Sequence, residues 1–295
     1  MLISFAENYE AVPTFAGHIC ETLGKGMETR NKFTGSTMTN TTDNPQFGLK
    51  GRVALVTGSS KGLGKAMAMS LGRAGAKVAI NYMHGEEKAL QTFGEFKSLG
   101  YEGMLVRANA IDKDDVDRMV REVSAALGPI DIVVPNATPE QPQKPIELYD
   151  WDFYQSMLDF FVKSPYLMVR ATVEHMKRQR WGRVINIGSE VFQRGVPNFT
   201  AYVAAKGGQN GFTRSLASEL APWGITVNMV SPGWIPVERH EHDPQEAKDS
   251  YLAGVPMRRW GLPVEVGDTV TFLASNEAAY ISGQNICVNG AHTVA

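Results

Sequence analysis

The chain has 295 residues, of which 43% are hydrophobic and 20% charged, and a net charge of −2. That size and apolar content suit one large globular domain, and the near-neutral balance argues against nucleic-acid or anionic-membrane partners. Apolar runs of about 18 residues, which a bilayer crossing needs, do not occur. The two cysteines, Cys20 and Cys287, lie too far apart in sequence to suggest a structural disulfide, which favours a reducing, cytoplasmic setting.

Residues 1–48 stand apart from the rest. The opening MLISFAENYEAVPTFAGHIC lacks a cationic stretch followed by an apolar core, so it makes a poor signal peptide. Glu7, Glu10, Glu21 and Glu28 count against a mitochondrial presequence. KFTGSTMTNTTDNPQFG reads as polar linker. Met27 and Met38 are alternative starts, and the segment is expected to be a poorly ordered leader or a mis-assigned start. An arm packing on a neighbouring subunit is the weaker alternative.

From residue 49 to 295 apolar runs alternate with helical patterns. The fold expected is α/β: a single doubly wound Rossmann-type domain with a seven-stranded parallel sheet and helices on both faces. Strands are expected at 52–57, 77–82, 104–108, 130–135, 182–187, 225–230 and 284–288. Helices are expected near 62–74, 86–99, 112–127, 147–180, 200–221 and 263–275. Right-handed crossovers would bring the segments after the strands to one edge, where ligands bind.

The first such segment is TGSSKGLG, Thr57 to Gly64, between an apolar strand and an Ala-, Met- and Leu-rich helix. Glycines permit close backbone approach, and a helix N-terminus offers N–H groups to a diphosphate. The spacing of Gly58, Gly62 and Gly64 is not the phosphate-loop pattern, and Ala66 after Lys65 leaves no Mg ligand for an ATPase. The second strand ends in Asn81 and Tyr82 with no acid, and the first acid, Glu86, opens the next helix. An acid at that strand end would bind ribose hydroxyls and repel a 2′-phosphate. With Lys61 supplying a cation in the glycine turn, and His84 as a possible aid, NADP(H) is the preferred cofactor and NAD(H) the alternative.

Further along, Ser189 closes the fifth strand in VINIGSE, and Tyr202 and Lys206 follow in AYVAAK. Residues at i and i+4 share a helix face. An ammonium beside a phenol favours the phenolate and is expected to lower the Tyr202 pKa. A Ser hydroxyl polarises a carbonyl while the Tyr exchanges a proton with its oxygen. Those three groups interconvert a ketone and an alcohol when a hydride is supplied.

These motifs together resemble the short-chain dehydrogenase/reductase family, and most closely its 3-oxoacyl-(acyl-carrier-protein) reductase-like members. TGSSKGLG is similar to the family's TGxxxGxG turn, and Ser189, Tyr202 and Lys206 match its catalytic Ser and Tyr-x-x-x-Lys. Asn186 in VINIGS and Pro232-Gly233 in SPGWI match two further landmarks, so the likeness runs from about Leu49 to Val288. It implies a cofactor site of Gly58, Ser60, Lys61, Gly62, Leu63, Gly64, Asn81, Tyr82, Asn109, Ala110, Asn136, Ala137, Tyr202, Lys206, Pro232, Gly233 and Ile235. It also implies that Lys206 holds the nicotinamide ribose, and that long helices 147–180 and 200–221 build a homotetramer or homodimer.

The chain departs from the family in several places. Phe161 stands where the family carries an Asn that holds a relay water beneath the Lys, with Gln155 and Asp159 as nearby polar candidates. Pro135-Asn136-Ala137-Thr138 replaces Asn-Asn-Ala-Gly, Asn109 replaces an acid, and Val237 replaces a Thr that holds the carboxamide. Phe153, Leu158, Phe160, Phe161 and Val162 crowd one helix and are expected to leave an apolar interface.

Residues 234–257 interrupt the strand–helix rhythm and read as a lid, with Asp243 capping a short helix that starts at Pro244. His240, His242 and Asp243 lack a convincing third ligand partner, so they read as solvated lid residues, and no metal is assigned. Arg258, Arg259 and Trp260 read as structural or interfacial, and Cys287 as a buried strand residue. The function expected is NAD(P)-dependent hydride transfer on a small-molecule carbonyl/alcohol pair. The alternatives are a sugar or polyol dehydrogenase, and a non-catalytic dinucleotide-binding protein motivated by Phe161 and Val237.

Overall fold

The computed structural model describes residues 47–294. The expectation for residues 1–48 lies almost wholly outside them. All seven strands form one parallel sheet in the order β3-β2-β1-β4-β5-β6-β7. They are β1 (Val53–Val56), β2 (Lys77–Tyr82), β3 (Gly103–Arg107), β4 (Ile132–Val134), β5 (Gly182–Ile187), β6 (Ile225–Pro232) and β7 (Asn285–Val288). The central strands are buried on both faces, which is why β1 and β4 read as unbroken apolar runs; β5 also buries Arg183 and Asn186. The chain reverses direction across the sheet between β1 and β4, and their carboxyl ends open the crevice where such sheets bind ligands.

Two apolar layers cover the faces. On one, α1 (Gly62–Arg73), α2 (Glu86–Ser98) and α9 (Pro263–Ala274) bury Met67, Leu71, Phe96, Val266 and Val270. On the other, α3 (Lys113–Ala126), α5 (Ser164–Gln179) and α7 (Thr200–Leu220) bury Val116, Met119, Met168, Met176 and Leu220. A third, smaller cluster joins α7 to α4 (Trp151–Leu158) and contains Met157, Phe161, Phe199, Ala201, Tyr202 and Ala205.

The helix expected over 147–180 is not continuous. Asp150 caps α4 by accepting from Phe153 N–H at 2.7 Å. A π-helical segment, Asp159–Lys163, then links α4 to α5, with Ser164 N–H bonded to Asp159 O. Pro165 supplies the reason: it has no N–H to give and its ring crowds the carbonyl four residues earlier, so the backbone widens by one residue just before it. The widened turn carries Phe161. A four-residue helix, α6 (Val191–Arg194), follows Ser189, and the lid helix is α8 (Gln245–Gly254). α8 starts one residue later than expected because Pro244 takes an extended ψ of 134° and itself occupies the cap position.

Of the expected apolar row, Phe161 is 2% exposed and the other four are half-buried. The bare apolar side chains nearby are Ile146, Leu148, Trp151 and Tyr166. Among the described residues no helix is long and apolar enough to cross a membrane.

Candidate active site

A cleft of about 550 Å³ opens at the β1/β4 crevice. Its floor is the glycine turn. Gly58 has φ +59°, and a Cβ there would sit 2.8 Å from Ala137 Cα. A Cβ on Gly64 would collide with Gly58 O and with Ser59. Both positions therefore require glycine so that β1 can turn under α1 and pass the loop after β4. The first turn of α1 has no acidic residue and no side-chain cap of its own, which leaves its N–H groups to an anion from elsewhere.

Neutral amides lock this floor. Asn81 is 1% exposed; its Oδ1 accepts from Gly58 N–H at 3.1 Å, and its Nδ2 donates to Ala108 O at 3.0 Å and Val106 O at 3.3 Å. Asn136 Nδ2 donates to Thr57 O at 2.9 Å and Gly58 O at 3.0 Å. Both border the cleft, but their side chains are spent on the backbone of β1 and β3 rather than held out to a ligand. Tyr82 OH turns to Glu86 at 3.2 Å, and Asn109 Oδ1 accepts from Ile111 N–H in its own turn. The remaining walls include Ser60, Lys61, Leu63, Ala110 and His84, as the sequence placed them, whereas Glu86 is not among the lining residues.

Pro232, Gly233 and Ile235 do not line this cleft. Ile235 is 4% exposed and packs into the core beside Val266, and Gly233 borders a separate hollow of about 360 Å³ behind the lid. The lid reaches the cleft through Val237, Glu238 and Arg239, of which the last two went unnoticed in the sequence. Glu238 Oε2 accepts from Gly62 N–H at 3.1 Å. A carboxylate bound at the glycine turn is direct evidence that the turn accepts an anion, so the residues present fit a dinucleotide diphosphate.

Ser189, Tyr202 and Lys206 are not among the residues lining this cleft, although Tyr202 and Lys206 are expected there as cofactor contacts. Ser189 follows β5, and Tyr202 and Lys206 sit on α7 beside Phe161, whose neighbour Phe160 is a lining residue. Tyr202 is 9% and Lys206 3% exposed. Burial holds the Tyr202 phenol above its ordinary value, while a hydrogen bond with Ser189 and the positive charge of Arg239 pull the other way. Burial also pushes Lys206 well below the usual lysine range, and Arg239 adds to that. The expected lowering of Tyr202 by Lys206 is therefore not what this structure shows. The ammonium lies 5.6 Å from the Tyr202 ring centroid and spends its donors elsewhere. It donates to Ile187 O at 2.6 Å and to Gln209 Oε1 at 3.1 Å, and it rests 3.6 Å from the centre of the Phe161 ring. A lysine ammonium has three donors, and two carbonyl-type acceptors and one aromatic face meet them here.

Phe161 is thus the floor of the cluster: it lies edge-on to Tyr202, ring centroids 5.2 Å apart, and face-on to Lys206. Gln209, 1% exposed, escaped sequence reasoning, although a glutamine three residues after a helical lysine could have been noticed as its neighbour. Asn186 is fully buried and donates to Thr213 at 2.9 Å, which ties β5 to α7. His240 is packed on Trp234 and accepts from Val237 N–H at 3.3 Å, so it is a structural part of the lid. Arg259 pairs with Glu265 and Trp260 stacks on Tyr251, both structural roles. Cys287 is half-buried in β7, its Sγ donating to Gln193 at 3.2 Å.

Residues 58–293 match the family model described as Enoyl-(Acyl carrier protein) reductase. The 3-oxoacyl-(acyl-carrier-protein) reductase of Staphylococcus aureus strain Mu50 is 38% identical over 239 residues, covering 80% of this chain and 96% of that protein. Nodulation protein G of Rhizobium sp. strain N33 is 39% identical over 244 residues, covering 83% and 98% respectively. Among solved structures, one assigned as a gluconate dehydrogenase from Agrobacterium tumefaciens superposes with a TM-score of 0.80 at 32% identity, over 84% of this chain and 99% of the other.

Proposed function

The chain belongs to the short-chain dehydrogenase/reductase family, and on that footing we propose that it is an NADP(H)-preferring reductase of 3-oxoacyl thioesters. Oxidoreduction at a CH–OH group with a nicotinamide dinucleotide is common ground with its relatives. The observation that supports the finer reading is the gathering of Ser189, at the end of β5, with buried Tyr202 and Lys206 at the same sheet edge as a glycine turn whose Gly62 N–H meets a carboxylate.

When bound, the reduced dinucleotide supplies a hydride. Ser189 donates a hydrogen bond to the carbonyl oxygen and fixes its position. Tyr202, held protonated by burial, gives its proton to that oxygen as general acid. Lys206, held here by Ile187 O and Gln209, would hold the nicotinamide ribose, and its charge would stabilise the phenolate left behind. Gly62 N–H and the first turn of α1 would hold the diphosphate where Gly62 here meets Glu238. Lys61, exposed and without an ion pair among the described residues, would hold the 2′-phosphate opposite a strand end that carries no acid.

A sugar or polyol acid is the second reading, favoured by the likeness to the Agrobacterium structure. Cytoplasmic location and a homotetramer or homodimer complete the reading, supported by one unpaired cysteine among the described residues and by the bare apolar side chains around Trp151. The test is a panel of 3-oxoacyl thioesters, sugars and polyols with each nicotinamide cofactor, followed by nicotinamide absorbance. Reduction of acetoacetyl-coenzyme A by NADPH is the expected outcome. Turnover of polyols alone would transfer the assignment to the second reading.

A further inference from the structure

Next to Ser189 lies a buried carboxylate that the chemistry above does not use. Glu190 is 2% exposed, and both its oxygens are filled. Oε1 accepts from Tyr251 OH at 2.8 Å, lies 3.0 Å from His292 Nδ1 and accepts from Arg194 at 3.4 Å. Oε2 accepts from Asn289 Nδ2 at 2.8 Å and from Thr293 OH at 3.2 Å. These donors come from separate parts of the chain: the lid helix α8, the segment after β7, and α6. Burying a carboxylate is costly unless its acceptor sites are met, and here five groups converge on one side chain.

The lid partner is itself fixed in place. The Tyr251 ring stacks on Trp260 at 5.6 Å and meets Trp234 and His292 edge-on. Its hydroxyl accepts from Trp234 N–H at 2.7 Å while donating to Glu190. A Cβ on Gly233 would collide with that hydroxyl, which gives the Pro232-Gly233 pair a reason of its own in this chain. Glu190 N–H also donates to Pro232 O at 3.2 Å. One carboxylate and one phenol thus join the Ser189 loop, the turn after β6 and the lid. The same lid strap continues from Trp234 to Val237, Glu238 and Arg239 at the cleft.

We propose that Glu190 is a positioning residue that clamps the lid, through Tyr251, onto the Ser189 loop and so sets the substrate end of the site. The inference rests on the role given to Ser189 above. It assigns no chemistry to Glu190, which acts through the lid and through its neighbour.

The experiment uses the full chain and two variants, Tyr251→Phe and Glu190→Gln. Three quantities are read: KM and kcat for acetoacetyl-coenzyme A with NADPH, NADPH affinity by fluorescence titration, and the rate of tryptic cleavage after Arg239 and Lys248 well below the Tm. Tyr251→Phe keeps the ring and removes the clamp. It is expected to raise KM about tenfold, the scale of one hydrogen bond to a charged group, with NADPH affinity within about twofold, and to quicken lid cleavage by a similar factor. Glu190→Gln is expected to move KM the same way and, if it folds poorly, Tyr251→Phe decides alone. Unchanged KM with an unchanged cleavage rate overturns the clamp. A lower Tm with unchanged KM also overturns it, because the network is then merely structural. If the wild-type protein reduces no 3-oxoacyl thioester, the functional reading fails by itself, and the cleavage rate still decides for or against the clamp.

Discussion

The glycine turn and the floor beneath Tyr202 both bury polar groups at the carboxyl edge of the same sheet, and they do so by opposite means. The turn uses neutral amides: Asn81 and Asn136 meet backbone groups of β1, β3 and the loop between β1 and α1. The floor uses a charge: Lys206 is taken out of water and met by Ile187 O, Gln209 and the Phe161 ring. A buried amide has no protonation equilibrium to disturb, whereas a buried ammonium loses proton affinity. The amides that brace the turn thus carry no charge to lose, whereas the cluster of Tyr202 and Lys206 contains a group whose charge burial disfavours.

The largest effect should come from the charged side. Tyr202→Phe removes the phenolic hydroxyl and leaves the ring packed on Phe161 and Phe199. Turnover should fall by roughly 10²- to 10⁴-fold, the worth of a positioned acid, while NADPH affinity stays near wild type. A variant that keeps its kcat on a 3-oxoacyl thioester would show that Tyr202 is packing, and the contrast between the two regions would collapse.

The turn is tested by Lys61→Ala, which removes an exposed cation and touches none of the amides. KM for NADPH should rise about ten- to a hundredfold, with KM for NADH little changed, as expected for loss of a charge-assisted contact to a phosphate. Equal changes for both cofactors would sink the 2′-phosphate assignment and leave the turn blind to that group.

The difference between the regions also explains what the sequence could and could not say. The turn is made by neighbours in sequence, so Gly58, Gly62 and Gly64 announce it. The same holds for Tyr202 and Lys206, whose i, i+4 spacing puts them on one face. The seven strands are legible as short apolar-rich runs, unbroken in the doubly buried β1 and β4 and broken by polar residues such as Asn186 and Asn228 in β5 and β6. The direction in which Lys206 points was not legible. It depends on a π-helical turn in another helix that swings Phe161 under the ammonium, and no local spacing encodes that contact. Asn81 reads as a cofactor contact from its place at a strand end, yet its amide is consumed by β3 and by the loops after β1 and β3, which meet it only in the fold. Glu190 and Glu238 escaped for the same reason, since the partners of Glu190 other than Arg194 lie 61 to 103 residues from its side chain and that of Glu238 lies 176 away.

Phe161→Asn sharpens the comparison by making the floor amide-based like the turn. The ring that covers Lys206 and abuts Tyr202 would be lost, and an amide would be buried in an apolar cluster. An unmet buried amide costs roughly 1–3 kcal/mol. The Tm should fall by several degrees, on the order of 2–4 °C per kcal/mol for a domain of this size, and kcat should not rise. A variant as stable as wild type and clearly faster would show that the phenyl floor blocks a proton route rather than supporting the cluster.

The smallest effect lies at the rim of the lid, where charge is exposed and so weakly felt. Glu265 binds Arg259 and accepts from Leu262 N–H at 2.7 Å, and these bonds hold its carboxyl down to about 2, below its ordinary 4.5. A depressed carboxyl adds stability that is present above the unfolded value and is lost as pH falls through the folded one. Glu265→Gln should therefore lower the Tm slightly at neutral pH, with the gap closing between about pH 4.5 and 2. Its side chain is 35% exposed and that of Arg259 53%, so solvent screening keeps the loss to about 1 kcal/mol or less. Thermal melts of both proteins across that pH range measure the gap. A gap that stays constant with pH would assign the stabilisation to the neutral cap at Leu262 N–H, which glutamine can also make, and would remove charge from the account of the lid's rim.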